Sequence, residues 1–366
     1  MFSTKLRFSF LSFCTLAAGC HDGGDDSRAD ATSHDGAQAT AAQRAPAQAP
    51  ALLGVSASHA CALRDTGLYC WGQNFFGQLG TGDVVDSESA VVATVAPTDI
   101  AQLVLSTGRT CVRRSTGAVA CWGSNDVGQR GDGTRTESLK ATEVVGVNDA
   151  VDLAMDDQTT CVVRGPERKV TCWGGSLDDQ DTDTLDLIPI ANTSSVVELR
   201  AGVNGEYCGR LEDKSVRCWS LEESGWTAAV AVPALKGARS IAMAAFDEVC
   251  GIVGDPAGPV LCHNLNNGAT VPLNDSKDSV RVSGFGALSA CAVNTRGAWA
   301  CWNVLPQMLE LIGSPRIDAP KNAKFVDFVL AGFHVCASYA DGSVGCGDVA
   351  EWKVPELIPV QGLPKK

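Results

Sequence analysis

Aromatic residues make up only 6% of the 366-residue sequence, and it holds just 5 His and 4 Met. Long runs of Leu, Glu, Lys and Ala are missing, which argues against a bundle of long helices. Positive charge is scarce: 29 Lys and Arg stand against 42 Asp and Glu, a formal net charge of −13. Lys5 and Arg7 both fall in the first 20 residues, which carry no acid; without that segment 27 basic residues face 42 acidic ones, near −15. A surface of this sign repels phosphate backbones and disfavours nucleic acid as a partner. Catalytic signatures are also missing: the sequence has no Gly-x-Ser-x-Gly, no His-Glu-x-x-His and no Walker loop. No Cys-x-x-Cys occurs, which weakens a zinc reading.

Cysteine is abundant instead, at 16, together with 38 Gly. Val, Thr, Gly and Ser recur in short stretches, the composition of strands and turns. So many cysteines without metal-ligand spacing point to disulfides formed in an oxidising compartment.

The first fifty residues read as an address and a tether. Lys5 and Arg7 precede a short apolar stretch from Phe8 to Leu16, and Leu16-Ala17-Ala18-Gly19-Cys20 follows. The run is too short to span a bilayer as a helix. It resembles a bacterial lipoprotein signal, with Leu four places before the Cys rather than the usual three. That resemblance implies a lipoprotein signal over residues 1–20, cut so that Cys20 becomes the lipidated first residue, leaving the protein on a membrane through acyl chains only. Residues 21–50 contain no aromatic or large aliphatic side chain and are expected to be a disordered tether. The expected location is the cell envelope, on the periplasmic side or the cell surface.

Apart from Cys14 and Cys20, the remaining fourteen cysteines fall into seven pairs: Cys61/Cys70, Cys111/Cys121, Cys161/Cys172, Cys208/Cys218, Cys250/Cys262, Cys291/Cys301 and Cys336/Cys346. The first members recur with a mean period of about 46 residues, within the range of propeller repeats. Turn signals lie between most pairs, as in Asp65-Thr66-Gly67 and Ser115-Thr116-Gly117, with apolar residues on both sides. This is the pattern of a β-hairpin, whose arms can set two Cys opposite each other for a disulfide. Each such clip closes a loop of about ten residues and stabilises by roughly 2–3 kcal/mol in a chain-entropy account.

Apolar or alternating segments precede most pairs, for example Leu103-Val104-Leu105 and Val280-Arg281-Val282. Others follow the early pairs, such as Val91-Val92-Ala93-Thr94-Val95 and Val144-Val145-Gly146-Val147. Four short strands per repeat make a propeller blade. The expected fold of residues 51–366 is therefore all-β: a seven-bladed β-propeller with one disulfide-clipped hairpin per blade. Leu357-Ile358-Pro359-Val360 and Leu52-Leu53-Gly54-Val55 would supply successive strands where the ring closes. Trp follows the second Cys in five repeats (Trp71, Trp122, Trp173, Trp219 and Trp302), which suggests packing between blades.

His59-Ala60-Cys61-Ala62-Leu63, Gly67 to Asn74 with Cys70-Trp71-Gly72, and Gly77-Gln78-Leu79-Gly80-Thr81-Gly82 together resemble a repeat of the regulator-of-chromosome-condensation family, in an exported bacterial form. The second repeat keeps Cys121-Trp122-Gly123-Ser124-Asn125 and Gly128-Gln129, then has Arg130 where Leu is usual. Later repeats lose the Gly-Gln-Leu-Gly element and keep both Cys. The resemblance implies a seven-bladed propeller and leaves function open.

Two candidate chemistries are weak. His59 and His334 stand two residues before a Cys, where Arg109, Thr159, Glu206, Glu248 and Ser289 stand in other repeats. Such variety fits a strand or turn position rather than a general base. The run Asp178-Asp179-Gln180-Asp181-Thr182-Asp183 alternates carboxylates like a calcium loop but lacks the Gly and Glu such a loop needs, and reads as a solvated acidic loop. No metal, cofactor or catalytic residue is expected. The expected function is a non-catalytic protein–protein interaction module with an unidentified protein partner at the envelope. The long loops after Trp71 and Trp122 would form its contact region, with Phe75 and Phe76 as anchors. The alternatives are an inhibitor of a secreted enzyme and a glycan-binding or glycan-hydrolysing propeller.

Overall fold

The computed structural model describes residues 52–364, apart from 97, 176–185, 245–246, 285–288, 297–298, 304–324, 332–333, 340 and 349–357. The expected signal, the tether with Cys20, and the acidic run 178–183 lie outside the described residues. Among the described residues the only helix is a 3-10 turn, Pro233–Leu235, and no helix is long and apolar enough to cross a membrane.

The described strands are short and antiparallel and form seven sheets, each paired in chain order from its leading strand outward. Five sheets have four strands. The sheet beginning at Val196 has five, through an added pairing at Gly225–Trp226, and the one beginning at Ser279 has three. The leading strands are Leu53–Val55, Ile100–Ser106, Ala150–Met155, Val196–Ala201, Ala238–Met243, Ser279–Gly284 and Phe325–Ala331. Each packs beside the next, and the seventh packs beside the first, so the leading strands close a ring. They surround a cavity of about 290 Å³ lined by Leu53, Leu103, Leu153, Leu199 and Val282 among others. The fold is an all-β propeller.

The hairpin grammar is realised in the second and third strands of each sheet. Cys61 lies opposite Cys70 in register, and the same holds for Cys111 and Cys121, Cys161 and Cys172, Cys208 and Cys218, Cys250 and Cys262, and Cys336 and Cys346. Disulfides join all six of these pairs. Cys291 is also disulfide-bonded; its register partner is Cys301, whose side chain lies outside the described residues.

One expectation needs adjustment. The fourth strands of the first two sheets are Ser87–Val92 and Ser138–Glu143; the first overlaps its expected apolar run only at Val91 and Val92, and the second ends just before its run. Val144 and Val147 are buried beyond the strand end, where they pack with Leu153, Val162 and Trp173 of the next sheet. The apolar run marks the joint between sheets, and the exposed edge strand before it needs little apolar content. The leading strands share an irregularity. Six of the seven carry a register shift near their start, which places Gln102, Asp152, Glu198, Ser240, Arg281 and Asp327 just past an unpaired residue. Such a bulge re-aims the side chain that follows it. Gln102 Nε2 donates to Asp152 Oδ1 at 2.7 Å, Asp152 Oδ2 accepts Leu199 N at 2.8 Å, and Glu198 Oε1 accepts Ile241 N at 3.3 Å. These bonds run from one sheet to the next and hold the leading strands in step.

At the closure, Val360 N donates to Val344 O and Ala90 N to Gln361 O, each near 3 Å. Val360 and Leu363 pack with Leu53, Val55, Cys336 and Val344. The C-terminal segment thus bridges the last sheet and the first.

Candidate protein-interaction face

The turns between first and second strands and the loops between third and fourth strands share one end of the sheets, because alternate strands run antiparallel. In the first two sheets these loops are residues 73–86 and 124–137, and each is organised by one buried Asn. Asn74 is fully buried; its Nδ2 donates to Asp83 O at 3.0 Å and Val85 O at 3.2 Å, and its Oδ1 accepts Leu79 N at 2.9 Å. Asn125 repeats the arrangement with Thr134 O, Thr136 O and Arg130 N. Only an amide can offer donors to several carbonyls and an acceptor to a backbone N–H from one short side chain. Gln78 Oε1 accepts Phe76 N and Gln129 Oε1 accepts Val127 N, so each Gln pins the tip of its own loop.

The backbone at these Gln residues is the joint between sheets. Gln78 O accepts the indole N–H of Trp122 at 2.9 Å and the hydroxyl of Thr110 at 2.8 Å. Gln129 O accepts Trp173 Nε1 at 3.1 Å and Thr160 Oγ at 2.8 Å. Trp302 Nε1 donates in the same manner to Asn274 O. Gly80 and Gly131 are required here: both have positive φ, and an added Cβ would lie 2.7 and 2.5 Å from the indole nitrogens of Trp122 and Trp173. The Gly-Gln-Leu-Gly element is therefore the socket for the next sheet's Trp. Arg130, in the Leu slot, is buried and paired with Asp132.

The variable position two residues before the first Cys also joins sheet to sheet. His59 Nε2 lies 2.7 Å from Thr110 Oγ1; that hydroxyl gives its own proton to Gln78 O, so His59 is the donor. Arg109 is fully buried and its Nη2 donates to Asp156 O and Thr159 O, both at 3.0 Å. Thr159 Oγ1 meets Tyr207 Oη at 2.9 Å, and Glu206 Oε2 accepts Asp247 N at 3.3 Å. Ser56 Oγ is 2.9 Å from His59 Nδ1, a pairing that resembles a nucleophile and its base, but both residues are buried. Burial lowers the His59 pKa to about 3, so the ring is neutral and acts as an internal pin. Burial also raises the acids of the fourth and fifth sheets: Glu206 rises to about 8, from desolvation and then from its bond with and closeness to Asp247, and Glu248 to about 7, chiefly from desolvation. Among the described residues, no three His, Cys, Asp or Glu side chains gather as metal ligands.

The first loop exposes apolar side chains alongside Gln73, Asp83 and Asp86. Phe75 is 65% exposed, and Val84 and Val85 of the same loop are exposed as well. Phe76 is only 38% exposed, because its ring lies against Gly108 of the second sheet. Phe76 therefore serves partly as packing, while Phe75 stands free of it. Val84 and Val85 were missed by sequence reasoning. Their signal was available: two adjacent β-branched apolar residues between Asp83 and Asp86, in a stretch of turn residues.

Residues 53–78 match the model of the regulator of chromosome condensation (RCC1) repeat. The chain carries an RCC1 repeat. No curated protein sequence matches it. Among solved structures, it is similar to yeast RCC1 (Prp20) bound to Kap60, at 16% identity and TM-score 0.61, covering 76% of this chain and 78% of that one. A second structure, of Prp20p from Saccharomyces cerevisiae, a protein described with its binding to Gsp1p and histones, matches at 15% identity and TM-score 0.60 over 81% and 85%. The CRINKLY WD40 ectodomain of the Arabidopsis thaliana receptor kinase ACR4 matches at 20% identity and TM-score 0.55, over 85% of this chain and 98% of that chain. At these identities the likeness is one of fold: an RCC1-type propeller. The Trp sockets and Asn-centred loops are strongest in the first two sheets, the region where the repeat model matches and just beyond it.

Proposed function

We propose that this chain is a non-catalytic protein-interaction module, held at a bacterial cell envelope by lipid on Cys20, and that its contact surface is the loop face of the first two sheets. One observation carries the reading: Phe75, Val84 and Val85 are exposed together on a loop that a buried Asn and a buried Gln make rigid. Exposed apolar groups on a preorganised loop lose little entropy on docking, and a rigid aromatic is a favoured anchor. The rim is acidic, with Asp83, Asp86 and Glu88 in the same stretch, which suits a protein partner rather than nucleic acid. The six disulfides are consistent with an oxidising compartment.

The test combines Phe75→Ala with Val85→Ser, since neither side chain supports the core. Cross-linking on intact cells, with mass spectrometry of the captured proteins, should recover partners with the parent chain and lose them with the double variant, at unchanged thermal stability. Retention of the same partners by the folded double variant would reject this face. Cys20→Ser should release the protein from the membrane fraction; continued membrane association would reject the lipid anchor.

A further inference from the structure

At the end of the sheets opposite the loop face, each connection enters a leading strand, and the repeats can be laid over one another there. In the second sheet Asp99 O accepts Ser115 N, and the Asp99 side chain pairs with Arg114 at 2.8 Å. In the third sheet Asp149 O accepts Gly165 N, and Asp149 pairs with Arg164, also at 2.8 Å. The fourth sheet has the same backbone joint, with Glu212 N donating to Ser195 O. It has the same register too: Val196 lies opposite Leu211, as Ile100 lies opposite Arg114 and Ala150 opposite Arg164. The ion pair, however, is replaced, with Ser195 in the place of the Asp and Leu211 in the place of the Arg. A cavity of about 500 Å³ opens at this point, lined by Asn192, Ser195, Leu211, Asp213 and Arg217 among others.

The lining carries polar groups of mixed kind with bonding capacity to spare. Arg217 Nη1 donates to Asn192 O at 3.2 Å, the bond that Arg164 gives to Gly146 O in the third sheet. That bond holds the guanidinium at the wall of the cavity and uses one of its five N–H groups. Asp213 Oδ1 accepts both the amide and the hydroxyl of Ser215, which leaves Oδ2 open. The side-chain amide of Asn192 and the hydroxyls of Ser194 and Ser195 make no hydrogen bond among the described residues. Glu212 has a long contact with Arg168, at 3.8 Å. Leu211, nearly buried, adds an apolar side chain.

We propose that this cavity at the base of the fourth sheet binds a neutral saccharide. Glu212 and Asp213 oppose an anion and Arg217 opposes a cation, so the lining selects an uncharged ligand. A sugar hydroxyl both donates and accepts, which suits carboxylate and hydroxyl oxygens on one side and amide and guanidinium N–H groups on the other. The planar amide of Asn192 and the fork of Arg217 can each span two neighbouring hydroxyls, and Leu211 can meet the C–H face of a ring. The volume falls within the range of small-ligand sites. The site lies at the other end of the sheets from Phe75, so it stands apart from protein docking on the loop face.

The experiment is an amide NMR titration of the intact oxidised protein with cellobiose, maltose and chitobiose, and with glucuronate and glucosamine as charged counterparts. At least one neutral disaccharide should shift the amides of Ser194, Ser195, Asp213 and Ser215 in a saturable way, while Val112 of the second sheet stays still. The charged sugars should bind at least tenfold more weakly. Restoring the ion pair of the neighbouring sheets, with Ser195→Asp and Leu211→Arg together, should fill the cavity and weaken binding at least tenfold. The change at 195 fits the backbone, because Asp99 holds the same positive φ at the equivalent place. If that double variant fails to fold, Ser194→Trp, at an exposed position on the rim, blocks the cavity instead and should weaken binding as much. Phe75→Ala with Val85→Ser should leave sugar binding unchanged, whatever it does to protein partners. No shift at these amides up to the solubility of the three disaccharides overturns the proposal. So does equal binding of the charged sugars, or full binding by a folded variant with the cavity filled.

Discussion

Replacing Asn74 tests the account of the loop face most directly. Its amide is fully buried and connects three parts of one loop: Leu79 N on one side, and Asp83 O and Val85 O on the other. Asn74→Ala leaves the Leu79 N–H and two carbonyls without these partners. Each orphaned buried group costs about 1–3 kcal/mol, less where water can enter, and both carbonyl contacts are only part-buried. The expected loss is about 2–4 kcal/mol, a large share of the stability of an ordinary domain. Asn74→Asp sharpens the test. It keeps the acceptor for Leu79 N but turns the donor into an oxygen that faces Asp83 O, Asp83 Oδ1 and Val85 O. That variant should be no more stable than Asn74→Ala, although aspartate is the closer match in size. Urea denaturation of the oxidised domain, followed by circular dichroism, measures both, and exchange of the Leu79 amide locates the change. An Asn74→Ala loss below about 0.5 kcal/mol, within the usual range of an inert surface change, would refute the role assigned to this residue.

The remaining predictions concern the joints, the clips and the response to pH. Trp122→Phe removes a bond to Gln78 O and should cost about 1–2 kcal/mol, whereas Trp219→Phe should cost less, because Trp219 Nε1 has no acceptor among the described residues; denaturant midpoints of the two variants compare them. Replacing Cys61 and Cys70 together by Ala should cost roughly 2–3 kcal/mol, read from the same titration, with an intact fold at low temperature. His59 has a folded pKa of about 3, so below its ordinary value near 6.5 the unfolded chain binds the extra proton and stability falls as pH drops. His59→Gln should flatten that acid limb in a series of melts from pH 3 to pH 6.5. Glu206 and Glu248 act in the opposite sense. Their folded pKa values of about 8 and about 7 lie above the unfolded value of 4.5, so the folded chain holds the extra protons and stability declines as pH rises from about 4.5 toward 8. Glu248→Gln should remove part of that decline, and a slope identical to that of the parent would argue against its burial as the cause.

The fold was legible in the sequence because its strongest signals are local. A cysteine pair with a turn between its members specifies a hairpin without reference to the rest of the chain, and seven pairs at a regular period specify repeated sheets. Trp after the second Cys was likewise legible as packing between sheets. The purpose of Gly-Gln-Leu-Gly was visible as a motif and not as a mechanism, because the Trp122 and Trp173 it receives lie 44 residues further along the chain. The site was less legible. Phe75 and Phe76 are adjacent and equally hydrophobic, yet one is largely exposed and the other rests on Gly108, a distinction made by the second sheet.

Composition and spacing by themselves determined an all-β chain with hairpins clipped by cysteine, since both depend on residues fewer than about a dozen apart. Tertiary structure alone decided what happens between sheets. It set Glu206 against Asp247, buried His59 and Arg109, and placed Gln102, Asp152 and Glu198 as links between leading strands. The reason is that ionisation and exposure depend on whichever groups face a side chain, and here those groups come from another repeat about 50 residues away.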